Sequence, residues 1–161
     1  MKHLALILIL TSFVSDAIGE ILLTQAPADA DSICFLTVLK LTDSGYAEEQ
    51  NLVINDPTEW ANVWEKIFAN TSAKPPLPEV DFTHRTILAV FQGGRPTDGY
   101  KISIEGILET AASLELSVKA FAPGQRCVVA PKVTRPLHIV EIEKTSKPVV
   151  FHVKHRTRDC Q

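Results

Sequence analysis

The sequence lacks the features that would mark several large function classes. No apolar run is long enough to cross a bilayer; the clearest, Leu4 to Leu10, falls well short of the ~20 residues a spanning helix needs. There is no clustered basic face of the kind that releases counterions from nucleic acid: 16 Lys and Arg stand against 19 Asp and Glu, for a net charge of -3. The one basic cluster, Lys154, His155, Arg156 and Arg158, reads as a solvated tail. No serine lies in a Gly-x-Ser-x-Gly elbow, and no cysteine has a histidine at a recognised catalytic spacing. Gly93, Gly94 and Gly99 lack the following helix and the lysine-serine pair that give a phosphate loop its anion affinity. No internal repeat and no parallel βαβ alternation is present.

The chain has only three cysteines, Cys34, Cys127 and Cys160, and none of their spacings is that of a zinc site. His84 and His138 have no ligand at useful spacing, and His152 and His155 fall on opposite faces of a strand, so no metal and no cofactor is expected. Lys2, the run to Leu10 and the small residues Ala17-Ile18-Gly19 form a secretory signal pattern over residues 1–19, with cleavage expected after Gly19. Losing that segment removes Lys2 and Asp16 and leaves the net charge unchanged. A secreted or periplasmic location follows, and with it an oxidising environment. Cys127 is expected to pair with Cys160, closing the last strands into a loop worth roughly 3 to 4 kcal/mol in the chain-entropy model. Cys34, within Ile33-Cys34-Phe35-Leu36, is expected as a buried thiol, the other reading being an intermolecular bridge.

At 161 residues and 45% apolar content, one core is the expectation, with a small-residue leader over 20–31 and a single domain over 32–161. Ile33 to Leu41 and Leu52 to Ile54 read as strands separated by Thr42-Asp43-Ser44-Gly45. Asp56-Pro57-Thr58-Glu59 is a helix start, with Asp56 as cap and Pro57 in the first helical position. Trp60, Val63, Trp64 and Ile67 then form one apolar stripe, predicting a helix over 57–69 packed on a sheet. The run Lys74-Pro75-Pro76-Leu77-Pro78 must be extended and reads as a stiff connector rather than a polyproline ligand. Glu79 and Asp81 could form a hydrolase carboxylate pair, but an Asp in such a segment more often bonds the backbone of a turn.

Thr86 to Phe91 is apolar on both faces, as in a central strand, whereas Tyr100-Ile102-Ile104 and Leu114-Leu116-Val118-Ala120 alternate with polar residues. That alternation would turn Tyr100 into the core, supporting the loop before it. Leu137 to Ile142 and Val149 to Val153 complete about seven strands, so the expected fold is mainly β, an antiparallel β-sandwich or open barrel with one packed helix. The Gly/Pro loop before Tyr100 contains no nucleophile or base apart from Asp98, which points to recognition rather than catalysis.

Asn55-Asp56-Pro57-Thr58-Glu59-Trp60 with Trp64, Pro78-Glu79-Val80-Asp81-Phe82, Gly93 with Arg95-Pro96-Thr97-Asp98-Gly99-Tyr100, Pro123-Gly124, and Thr134-Arg135-Pro136 with Ile139-Val140 occur in an order that resembles the PrcB C-terminal domain family. The likeness covers nearly all of the chain beyond the signal. It implies a secreted or envelope protein without enzymatic activity, an accessory subunit whose partner is an extracytoplasmic protease. Asp98 stands where the family more often has glycine, and Arg135 where serine is usual. Two loops are the partner-binding candidates: Gly94, Arg95, Pro96, Thr97 and Asp98 in one, Lys132, Thr134 and Arg135 in the other. Pro96-Thr97-Asp98-Gly99-Tyr100 and Arg135-Pro136-Leu137 are also similar to loops of the chagasin-type cysteine protease inhibitors, which makes inhibition through 94–100 and 131–137 the alternative. Asn70-Thr71-Ser72 has the N-glycosylation pattern, idle if the source is bacterial as the resemblance implies.

Overall fold

The computed structural model describes residues 31–160, so the signal pattern and nearly all of the leader lie outside the described residues. In chain order the elements are β1 (Asp31–Ser32), β2 (Leu36–Leu41), β3 (Glu49–Ile54), α1 (Pro57–Ile67), β4 (Arg85–Gln92), β5 (Lys101–Glu109), β6 (Leu114–Pro123), β7 (Leu137–Glu143) and β8 (Val149–Arg158). They form two four-stranded sheets, β1-β5-β6-β8 and β2-β7-β4-β3. Every pairing is antiparallel except β6 with β8, whose connection runs through β7 in the other sheet. Among the described residues the architecture is a β-sandwich with one helix on its outer face.

The doubly apolar β4 explains the layering. Ile87, Ala89 and Phe91 face the helix together with Trp60, Val63, Trp64 and Ile67, while Leu88 and Val90 face the second sheet with Ile102, Ile104, Leu116 and Val118. The period of two along one strand thus feeds two separate cores. β7 does the same, sending Leu137 and Ile139 to the helix side and Val140 and Ile142 between the sheets.

Asp56 caps α1, its Oδ1 accepting from the Thr58 and Glu59 N–H groups, each at 2.9 Å. The helix stops at Ile67, two residues before the expected end, with Phe68 as its C-cap. Asp56→Ala removes two acceptor contacts from otherwise unpaired N-terminal donors, and chemical denaturation should register a loss of about 1 kcal/mol. The proline run lies along the same helix. The Trp60 and Trp64 indoles donate to the carbonyls of Pro78 and Pro75 at 3.0 and 3.1 Å, so this stiff segment straps α1 to the body of the protein.

Three expectations are corrected. Ile33 to Leu41 is not one strand: β1 pairs with β5, the Ile33 N–H still donates to the Ile107 carbonyl, and the chain then crosses to the other sheet, where β2 pairs with β7. Cys34 lies on that crossing and is exposed, because the segment changes layers there instead of running through the core. Tyr100 is half-buried rather than in the core. It has the parity of Ile102 and Ile104 but precedes the first residue of β5, so its ring sits at the mouth of the sandwich, 6.0 Å from the Arg95 guanidinium carbon.

Candidate functional site

The two loops singled out from the sequence meet in one surface at the end of the sandwich. Gly93 and Gly99 bracket the first loop with φ of 74° and 86°, the region that only glycine enters without strain, which accounts for both glycines without any ligand. Between them, Arg95 and Thr134 form an isolated antiparallel bridge, N–H to carbonyl in both directions at 2.8 and 3.0 Å. The Thr134 hydroxyl donates to the Thr97 carbonyl at 2.9 Å. Asp98 and Ala130 join the other flank: the Asp98 N–H donates to the Ala130 carbonyl at 3.2 Å, and Asp98 Oδ1 accepts from the Ala130 N–H at 2.9 Å.

The two arginines of the set are turned partly inward. Arg95 Nη2 bonds Glu49 Oε2 at 2.7 Å, and Arg135 Nη1 reaches Asp43 Oδ1 at 3.3 Å while its carbonyl accepts from the Ser44 hydroxyl. Thr134 is buried within the joint. Gly94, Pro96 and Lys132 face solvent. Val128 and Val133, absent from the candidates read from the sequence, are 102% and 51% exposed and flank Lys132 on the same segment. Their signal was available: valines in a Pro-bounded stretch that joins no alternating strand pattern have no core face to occupy.

A disulfide between Cys127 and Cys160 holds this platform, with a Cα–Cα distance of 4.8 Å. Next to it, the Gly124 N–H donates to the Arg158 carbonyl at 2.8 Å, and the Cys127 N–H to the Gly124 carbonyl at 3.0 Å. The bridge and these bonds tie the 124–134 segment to the end of β8, so the loops are presented in one geometry.

The other chemistry-bearing residues have local structural partners. Asp81 Oδ1 accepts from the Thr83 N–H at 3.0 Å and from its hydroxyl at 2.5 Å, and Oδ2 lies 2.7 Å from His84 Nδ1. These bonds, the Thr83 hydroxyl's first, hold the Asp81 pKa down at about 2, so this carboxylate fixes the turn into β4. His152 Nε2 lies 2.5 Å from Glu115, whereas His155 Nε2 approaches Glu49 at 3.9 Å, the two rings being on opposite faces of β8. Among the described residues no group of three metal-ligating side chains converges, and no helix is long and apolar enough to cross a membrane.

His138 is the most perturbed histidine. It lies between the sheets, 3% exposed, its Nδ1 accepting from the Ile104 N–H at 2.9 Å and its Nε2 3.0 Å from the Thr37 hydroxyl. The first bond places the ring proton on Nε2, which donates to Thr37. Burial, and then the nearby Lys40 charge, lower its pKa to about 4 against a smaller opposing effect of Glu105. The ring is a neutral pin between sheets.

No curated protein and no solved structure matches the chain. A family model does, over a span narrower than the sequence resemblance suggested: it begins within β4, ends with β7 and leaves out the helix and its proline strap. That span includes β5, β6 and every residue of the two-loop joint. Residues 86–143 match the family model described as PrcB C-terminal, so this part of the chain is similar to that family.

Proposed function

We propose that the protein is a non-catalytic, extracytoplasmic accessory subunit that docks onto a protease. The observation that supports this most directly is the two-loop joint: backbone bridge, side-chain bonds and a disulfide pre-order a surface that leaves Val128 and Val133 uncovered beside Pro96, Pro131 and Lys132. Pre-ordering lowers the entropic cost of association, and a small apolar centre with a polar rim is what a protein interface needs. The joint falls within the span that matches the PrcB C-terminal model, a likeness that supports a role in a protease complex, and a disulfide fits an oxidising compartment. Gly94, Pro96 and Lys132 remain outward contacts, while Arg95, Thr97, Asp98, Thr134 and Arg135 shape the surface through the bonds described above.

The inhibitor alternative loses its wedge. Leu137, in the position of the aromatic residue of the inhibitor loop, is fully buried on the helix side of the core and has no path into an enzyme cleft.

Affinity capture from the native envelope and secreted fraction tests this reading. The wild-type chain should retain a protease that stays active, and Val128→Asp with Val133→Asp should abolish its retention. Because both valines are exposed, the melting temperature should move by no more than a few degrees. Unchanged capture by the double variant refutes the docking surface, and stoichiometric suppression of a papain-type protease by the wild-type chain would establish the inhibitor instead.

A further inference from the structure

The basic stretch Lys154 to Arg158, read from the sequence as a solvated tail, is the second half of β8. β8 is an edge strand. It runs in unbroken register along β6 from Val149 to Arg158, without a bulge or a proline, and has no other strand beside it among the described residues. The Leu114 N–H donates to the Pro148 carbonyl and the Gly124 N–H to the Arg158 carbonyl, which fixes the phase of that pairing. Backbone groups alternate sides along a strand, so even-numbered residues of β8 turn theirs to β6, while Phe151, Val153, His155 and Thr157 turn theirs outward. A free edge of this length is a template for one more strand.

The side chains select the kind of strand. The register partners Lys101, Phe121 and Arg156 form one row across β5, β6 and β8 on the outer face of the sheet, and Lys119 and Lys154 are partners in the next. Lys119 is bonded to Glu105 at 3.1 Å, and further along β8 the ring of His152 is held by Glu115. At the other end Asp98 and Asp159 stand with Arg158 in a groove that includes Phe121. Lys101, Lys154 and Arg156 are exposed and have no ion-pair partner among the described residues, so the positive surplus is centred on them. Charges that only keep an edge from pairing sit on the edge strand itself. Lys101 lies two strands inward, so this cluster is a recognition face. β8 carries no Asp or Glu of its own. In an added strand, residues two apart would stand beside Lys154 and Arg156 on the outer face, where opposite charges attract across strands. A polyanion without a peptide backbone would leave the outward N–H and carbonyl groups unused, whereas an extended peptide uses both sets. We propose that β8 receives an extended segment of a partner protein as an added strand, one with Asp or Glu at two positions spaced i, i+2.

The inference goes beyond docking and does not rest on it, since the test needs no protease and leaves Val128 and Val133 untouched. The oxidised full chain is titrated with N-acetyl-Thr-Thr-Glu-Thr-Glu-Thr-Thr-amide, by calorimetry and by NMR of backbone amide exchange. The peptide should bind with a dissociation constant in the millimolar range or tighter and slow exchange at Phe151, Val153, His155 and Thr157. An isomer with the two glutamates adjacent, which sends one of them to the opposite face, should bind about threefold more weakly or worse. Full N-methylation of the peptide keeps its charge and removes its donors, and should abolish binding. Lys154→Glu with Arg156→Glu should reverse the preference, to the peptide with lysine in place of glutamate, at unchanged melting temperature because both side chains are exposed. No binding up to about 10 mM, or a preference unmoved by the double variant, would overturn the proposal. Equal binding of the N-methylated peptide would make the face a general polyanion site instead, and self-association that protects the same amides without peptide would make a second copy of the chain the occupant.

Discussion

Lowering the pH from 7 to 5 is expected to cost the protein about 2 kcal/mol of stability through His138 alone, rising to about 3 kcal/mol by pH 4. The unfolded chain takes up a proton on this ring below about 6.5, whereas the folded ring resists protonation down to about 4. Between those values the unfolded state binds more protons, so stability falls as the pH falls. The structural cost is specific: a proton on Nδ1 would confront the Ile104 N–H that now donates to it, in a space shared with Lys40. Hydrogen bonds also hold Glu105 and Glu115 below the usual carboxylate range, Ser103 being the main cause for the first and Ser113 for the second. With Asp81, these groups lose their contributions as the pH drops below about 4.5, under the window that His138 controls. Urea denaturation at pH 7, 6 and 5 measures the slope directly. His138→Gln retains an acceptor for Ile104 and a donor for Thr37 without the titration, so it should flatten the profile over this range. A slope that survives in the variant would assign the effect to other groups.

Replacing Cys127 and Cys160 together by serine should lower stability by roughly 3 to 4 kcal/mol, from the entropy returned to an unfolded chain no longer closed across 33 residues. Thermal melting should fall by on the order of 10 °C. The loss should also be local: amide exchange should accelerate over 124–134, where the Gly124–Arg158 and Asp98–Ala130 bonds depend on the tail being held near the loop. Partner capture should weaken even at temperatures where the variant is folded. A drop of less than about 1 kcal/mol would show that these hydrogen bonds hold the platform without the bridge.

Much of the fold was legible because its signals are local and periodic. The Asp56-Pro57 start and the Trp60, Val63, Trp64, Ile67 stripe require only contacts three or four residues apart, and the structure has that helix on a sheet. The apolar run of β4 marked a strand covered on both faces. The segment around Cys34 was misread because an apolar run looks the same whether it continues through one sheet or crosses between two; only the pairing partners, β5 for Asp31–Ser32 and β7 for Leu36–Leu41, distinguish them. Tyr100 was misplaced for a related reason: strand parity sets a direction but not whether a sheet still lies there to pack against.

The sequence by itself determined most of the secondary elements and the two-sided burial of β4. Tertiary structure decided which loops are neighbours. Arg95 and Thr134 are bonded backbone to backbone across 39 positions, and His138 pins Ile104 and Thr37 from two different strands. Such meetings depend on strand order and on the β-bulges near Thr37 and Glu105, which shift the register along each strand. Periodicity encodes which way a side chain points, but the identity of the residue it meets is set by the global pairing of sheets, where burial of the whole core selects one register.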